Sequence, residues 1–272
     1  MRALGAFSIG AIASMAAGAL LRSHPPGGNK GWARTNYAGN VVTLLEGPAF
    51  VVGAVAGAVA GGAGAPAAAA GLGGAAFGAL DDLAGKSPSK GLRGHLAAAR
   101  RGEVTTGAIK IVGLGVTGLL TAWIMDRPRT RTGPISTLVG GAVVAGSANI
   151  VNLLDLRPGR ALKVALLLST PLLAVGHGTP SSTAAAGAVA GAAIACLPED
   201  LAGRSMLGDT GANSAGALLG AALVARTGLP GRLLALAAVT ALTLASERFS
   251  FTTFIESTPG LRELDALGRP PV

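Results

Sequence analysis

Charge, aromatic rings and thiols are all scarce in this chain. Asp, Glu, Lys and Arg supply 13% of its 272 residues and aromatic residues 3%, while half belong to the apolar set. No ordinary water-soluble domain of this length combines so little charge with so much apolar surface, so the solvent for most of the chain is expected to be lipid. The few aromatic residues define no interfacial belt. A lone Cys196 excludes an internal disulfide framework and a cysteine-based metal cluster. Glycine is abundant, at 43 residues. It is interleaved with Ala, Val and Leu, where it lets transmembrane helices approach closely.

The net charge of +9 needs no nucleic acid to explain it, because basic loops facing an anionic leaflet give the same balance. Apolar runs recur near residues 3–21, 42–61, 64–80, 104–125, 134–151, 162–177, 180–197, 212–227 and 230–245. Each approaches the roughly 20 residues that cross a bilayer. The pattern predicts an all-α fold, a polytopic membrane bundle of about nine helices over residues 1–245, with a tail at 246–272. The first run reads as a retained helix rather than a cleaved leader, since further spans follow it. Pro66, Pro134, Pro180 and Pro230 fall at helix starts, where proline forfeits no hydrogen bond.

Lys and Arg concentrate in one alternate set of loops, at 22–40, 81–103, 152–160 and 198–211, and in the tail. By the positive-inside rule these are cytoplasmic in a multi-pass plasma-membrane protein with its N-terminus outside. Arg127, Arg129 and Arg131 run against this assignment.

The acidic residues fall at three helix ends on that same side. Asp81 and Asp82 close the third span, followed by Lys86, Lys90, Arg93 and His95. Adjacent carboxylates on a helix diverge by about 100° and serve different partners, such as a metal and a phosphate. The pair also fits a solvated helix end beside lysines. Asn149, Asn152 and Asp155 share one helical face at the end of the fifth span. That face suits a ribose, a base edge or a metal, and equally a capped helix end, with Asn149 deep enough to bond a neighbouring helix. In Gly208-Asp209-Thr210-Gly211, glycines flanking an aspartate before a helix start favour a phosphate on free N–H groups and a cation on Asp209, or a simple capped turn. Together the clusters suggest phosphoryl transfer at the membrane interface.

In order and placement these motifs resemble the polyprenyl-phosphate N-acetylhexosamine-1-phosphate transferase family. Asp81-Asp82 is similar to its paired aspartates, Asn149-Ile150-Val151-Asn152-Leu153-Leu154-Asp155 to its N-x-x-N-L-x-D segment, and Leu207-Gly208-Asp209-Thr210-Gly211 to its M-G-D-x-G segment. The resemblance covers roughly residues 31–220 and includes Lys90 to His95, Thr105-Thr106-Gly107 and Lys110. It implies transfer of a sugar 1-phosphate from a UDP-sugar to a polyprenyl phosphate, with Mg2+ as cofactor, in cell-envelope synthesis. It assigns Asp81, Asp82 and Asp209 to catalysis, and Asp209, Asp82 and Asp155 to the metal. Asn149, Asn152, Asp155, Lys86, Lys90, His95 and Lys110 are then substrate-binding residues. A homodimer or other envelope-assembly proteins are the protein partners left open.

Where the family carries a second aspartate after the middle motif, this chain reads Leu156-Arg157-Pro158-Gly159, and residues 246–272 contain no histidine. A divergent member is therefore expected, with a catalytically inactive membrane scaffold as the alternative. Transport is disfavoured: among ionisable residues only Lys110 is a candidate for the bilayer interior.

Overall fold

A computed structural model describes residues 2–84, 94, 101–102, 105–128, 132–174 and 179–270. It is an all-α bundle. Its long helices are α1 (Arg2–Ser23), α2 (Glu46–Ala58), α3 (Gly64–Ala84), α4 (Thr106–Asp126), α5 (Pro134–Leu154), α6 (Arg160–Ala174), α7 (Pro180–Leu201), α8 (Gly208–Arg226) and α9 (Leu229–Ser246). The short helices α10 (Phe251–Ser257) and α11 (Leu261–Ala266) form the tail. One departure from an all-helical reading is small: β1 (Ala33–Thr35) and β2 (Val41–Thr43) pair antiparallel, with Arg34 opposite Val42.

Each long helix matches one apolar run. Among the described residues, six segments are long and apolar enough to cross a membrane: Arg2–Ser23, Glu46–Ala84, Thr106–Asp126, Pro134–Leu154, Pro180–Leu201 and Leu229–Ser246. Glu46–Ala84 is not straight. Gly62 at φ 98°, within the π-turn Val59–Ala63, and Gly64 at φ 63°, just after it, break the segment, both at a positive φ that glycine adopts without a Cβ penalty. This separates α2 from α3, which then pack against each other.

Helix α8 is the core. Every residue from Thr210 to Ala222 is buried, and α2, α3, α5, α6 and α7 all pack around it. Small residues make that possible. A side chain on Gly74 would sit 2.8 Å from Asn213 O, and one on Gly78 would fall on the carbonyl oxygen of Asp209. Glycine thus brings α3 and α8 into backbone contact, the packing that drives helix association where lipid offers no hydrophobic gain. The outer faces are apolar, with Ile12, Val112, Val116, Leu234 and Leu244 exposed.

Helix α9 buries only Arg232. That guanidinium donates to both carboxylate oxygens of Asp126, at 2.6 and 2.7 Å, and to Ser136 O at 2.9 Å. Both ions are satisfied, so the pair pins the starts of α5 and α9 to the end of α4, and removing one partner would cost about 3–5 kcal/mol.

Candidate functional site

At the opposite end of the bundle the helix termini bring together residues from separate parts of the chain. Asp81 and Asp82 lie in the last turn of α3 and diverge as the helical offset requires. Asp82 faces the N-terminus of α8. Its carboxylate accepts from Asp209 N at 3.1 Å, Thr210 N at 2.9 Å and Thr210 Oγ1 at 2.6 Å. A carboxylate there satisfies N–H groups that have no partner within their own helix and lies at the positive end of the helix dipole. Gly208 makes room for it: at φ 63°, a side chain on Gly208 would lie 3.1 Å from Asp82 Oδ2. Arg34, from the β-ribbon, donates to the backbone carbonyl of Asp82 and ties that ribbon to α3.

Asp81 faces α4 instead. Thr105 Oγ1 accepts from Ala108 N at 3.1 Å and caps α4, setting Lys110 in the first turns of the helix. Lys110 Nζ donates to Asp81 Oδ2 at 3.2 Å and to Asp209 Oδ2. With its amide oriented to satisfy both neighbours, Asn152 donates to Asp209 Oδ1 at 2.8 Å and accepts from Lys110 Nζ at 3.1 Å. Asp81, Lys110, Asn152 and Asp209 therefore converge on one point.

That point opens into a cavity of about 350 Å³ between α4, α5 and α9. Asp81, Lys110, Asn149 and Asn152 line its polar end, and Ile111, Leu114, Ala145 and Leu153 give it an apolar wall. Helices α4 and α9 both pack on α5. Asn149 turns toward α9, its Nδ2 lying 3.5 Å from Thr243 Oγ1, the interhelical contact its depth in α5 suggested.

Asp155 meets the same start of α8 through a hydrogen bond from Gly208 N–H, outside the Lys110 cluster. It follows α5 and lines a separate chamber of about 30 Å³ with Asp200, Tyr37 and Arg157. Burial pushes its carboxyl well above the ordinary carboxylate range; the negative charges of Asp200, Asp209 and Asp82 push the same way, and Gly208 N–H opposes them. Lys86, Lys90 and His95 lie outside the described residues.

Among the described residues no group of three or more His, Cys, Asp or Glu side chains is placed to hold a metal ion. Of the three aspartates expected to share one, Asp82 accepts from Asp209 N and Thr210 N, Asp155 from Gly208 N–H, and Asp209 pairs with Lys110. The carboxylates that do share a cation are Asp81 and Asp209, and the cation is the Lys110 ammonium. Magnesium is held by one or two carboxylates with substrate phosphates completing its shell. Asp209 and Asp81, with the Asn152 amide beside them, fit that requirement.

Sequence reasoning did not single out Arg34, Thr210, or the cluster Thr243, Ser246 and Glu247 that closes the cavity from α9. The last three end an apolar run without a motif, and only the packing of α9 on α5 places them. Compared with known families and with curated proteins, the chain matches no family model and no curated protein.

Proposed function

We propose that the chain transfers a sugar 1-phosphate from a UDP-sugar to a membrane polyprenyl phosphate at the cytoplasmic surface of the plasma membrane. The observation that carries this reading is the Lys110 ammonium held between Asp81 and Asp209, at the polar end of a cavity with an apolar wall. A phosphate on an alkyl chain matches both halves: its head meets Lys110, and its chain lies along Ile111, Leu114 and Leu153.

In the transfer, an oxygen of the lipid phosphate attacks the sugar-bearing phosphorus, the bond from that phosphorus to the UMP oxygen breaks, and UMP leaves. Charge builds on phosphate oxygens throughout, so fixed cations in a site of low water content are the main catalytic resource. Lys110 neutralises the attacking phosphate. Asn152 orients Asp209, and Asn149 lies beside it at the cavity wall. Magnesium, held by Asp209 and Asp81, would supply further neutralisation of the diphosphate. Lys86, Lys90 and His95 are assigned to the substrate phosphates on sequence grounds.

A second reading, an inactive membrane scaffold, draws on a specific observation. Asp82 is fully engaged as a helix cap, and the motif position after Asp155 offers Leu156, Arg157 and Pro158 in place of a carboxylate.

The test is UMP release by the purified protein with Mg2+, polyprenyl phosphate and UDP-N-acetylhexosamines offered one at a time. Metal-dependent release that falls about 10²–10³-fold in Asp209→Asn is expected. A folded protein that releases no UMP and binds neither UDP nor magnesium sinks the transferase reading and favours the scaffold.

A further inference from the structure

The tail after α9 is amphipathic in the sense opposite to a water-facing segment. Half of the chain's six phenylalanines, Phe249, Phe251 and Phe254, fall within six residues there. Phe249 and Phe254 are 67% and 59% exposed, and Leu264 and Leu267 are exposed farther on. The polar groups turn inward instead. Thr252 Oγ1 accepts from Arg160 Nη1 at 2.8 Å, Glu256 pairs with Arg157 at 3.1 Å, and Asp265 is buried against Arg160. Thr252 and Glu256 are about one helical turn apart on α10, so Phe254, midway between them in sequence, lies on the opposite face. A helix resting on a protein with its other face in water shows the reverse arrangement.

The exposed apolar face continues the outer surface of α9. That helix is long and apolar enough to cross a membrane, and it exposes Leu234, Leu242 and Leu244. Ser246, Glu247 and Arg248 end its apolar run, which puts Phe249 where a spanning helix leaves the hydrocarbon. A protein covering Phe249 and Phe254 would have to straddle that boundary. Charge does not supply the attraction, since residues 246–272 hold four acidic and three basic side chains. Burial of apolar side chains between headgroups and acyl chains does.

We propose that the tail is an interfacial anchor: Phe249, Phe254, Leu264 and Leu267 sit in the leaflet on the side of the site, and the Arg160–Asp265 pair fastens the tail's polar side to the bundle. The anchor acts on α9. That helix contributes Thr243 and Ser246 to the cavity wall at its tail end, with Glu247 just beyond, while its one buried residue, Arg232, lies at the far end. Lipid on one side of the tail and Arg160 on the other therefore fix the end of α9 that closes the cavity. The proposal does not depend on the activity proposed above.

The experiment is a nitroxide depth measurement on the full chain in phosphatidylcholine nanodiscs, read by power saturation with oxygen and with a water-soluble nickel chelate. A Cys196→Ala background removes the chain's buried thiol, so each variant carries one label. Leu234→Cys on α9 is the lipid reference, and Lys30→Cys, exposed between α1 and α2, is the aqueous one. At Phe254→Cys, oxygen is expected to reach the label more readily than the chelate, as at Leu234 and the reverse of Lys30. Phe249→Cys is expected to match it and serves if Phe254→Cys does not fold. Adding phosphatidylglycerol is expected to leave both depths unchanged. A label that the chelate reaches more readily than oxygen overturns the proposal and leaves the phenylalanines facing water. Protection from both reagents overturns it in favour of a protein partner or a second copy, and insertion seen only with phosphatidylglycerol overturns the assignment to apolar burial.

Discussion

Asp81 and Asp82 are neighbours in sequence with unlike work. Asp82 accepts three hydrogen bonds from the first turn of α8, so Asp82→Ala removes a cap and leaves N–H groups unmatched beneath Asp209. We expect it to lower stability by about 1–2 kcal/mol, seen as a reduced thermal midpoint in detergent. Asp81 accepts from Lys110 and lines the open cavity. We expect Asp81→Asn to leave that midpoint nearly unchanged while suppressing UMP release. Equal thermal loss in the two variants would refute this division. The sequence allowed the residues to be placed at one helix end and shown to diverge, because an offset of 100° follows from helix geometry alone. Which of them caps and which faces the cavity depends on where α4 and α8 lie around α3. Lys110 was legible as an ionisable residue in an apolar run. Arg34 was not, since its partner is a backbone carbonyl 48 residues away that no side-chain pattern marks.

Helix boundaries were largely readable, because each apolar run ends where lipid would end and proline or glycine stands at the junctions. Packing faces were not. Forty-three glycines announce close approach without saying which helix approaches which. The structure makes Gly78 a critical one, since a Cβ there would fall on the carbonyl oxygen of Asp209. Helix α3 has to move away from α8, and with it Asp82 and Asp81 leave Asp209. We expect Gly78→Ala to cost about 1–3 kcal/mol through overpacking and to lose UMP release. Gly115 is the control: nothing lies within 4 Å of a side chain added to it. Gly115→Ala should leave both readouts unchanged or gain a few tenths of a kcal/mol from helix propensity. If Gly78→Ala behaves like Gly115→Ala, backbone contact between α3 and α8 is not what holds the site together.

Across the whole molecule, the tail after α9 returns to the bundle and fastens beside the site. Arg160 donates to both oxygens of Asp265 at 2.8 and 2.9 Å, Lys163 donates to Asp265 O at 2.6 Å, and Arg269 Nε donates to Pro158 O at 2.8 Å. Apart from the turn-forming Thr258-Pro259-Gly260, no local pattern in the sequence marks this order, because Arg160 and Lys163 lie about a hundred residues upstream of Asp265. Burial alone would raise the Asp265 carboxyl, but the hydrogen bonds and positive charge of Arg160, with Arg269, outweigh it and hold the group below its ordinary value of 3.8. A depressed folded-state pKa means that its contribution is fully present above the ordinary value and is lost as pH falls through the folded one. Docking of the tail is therefore expected to be insensitive to pH near neutrality and to weaken only below about pH 4. Hydrogen exchange across residues 251–266 reads this directly: protection should hold at pH 7 and drop on strong acidification. Asp265→Asn should show the acid behaviour already at pH 7. Glu256→Gln should not, because the Arg157–Glu256 pair at 3.1 Å is more exposed, at 24% and 47%, and exposed pairs contribute little. If Asp265→Asn retains full protection at pH 7, apolar packing such as the approach of Gly268 to Leu201 holds the tail, and the buried ion pair serves only to satisfy its own charges.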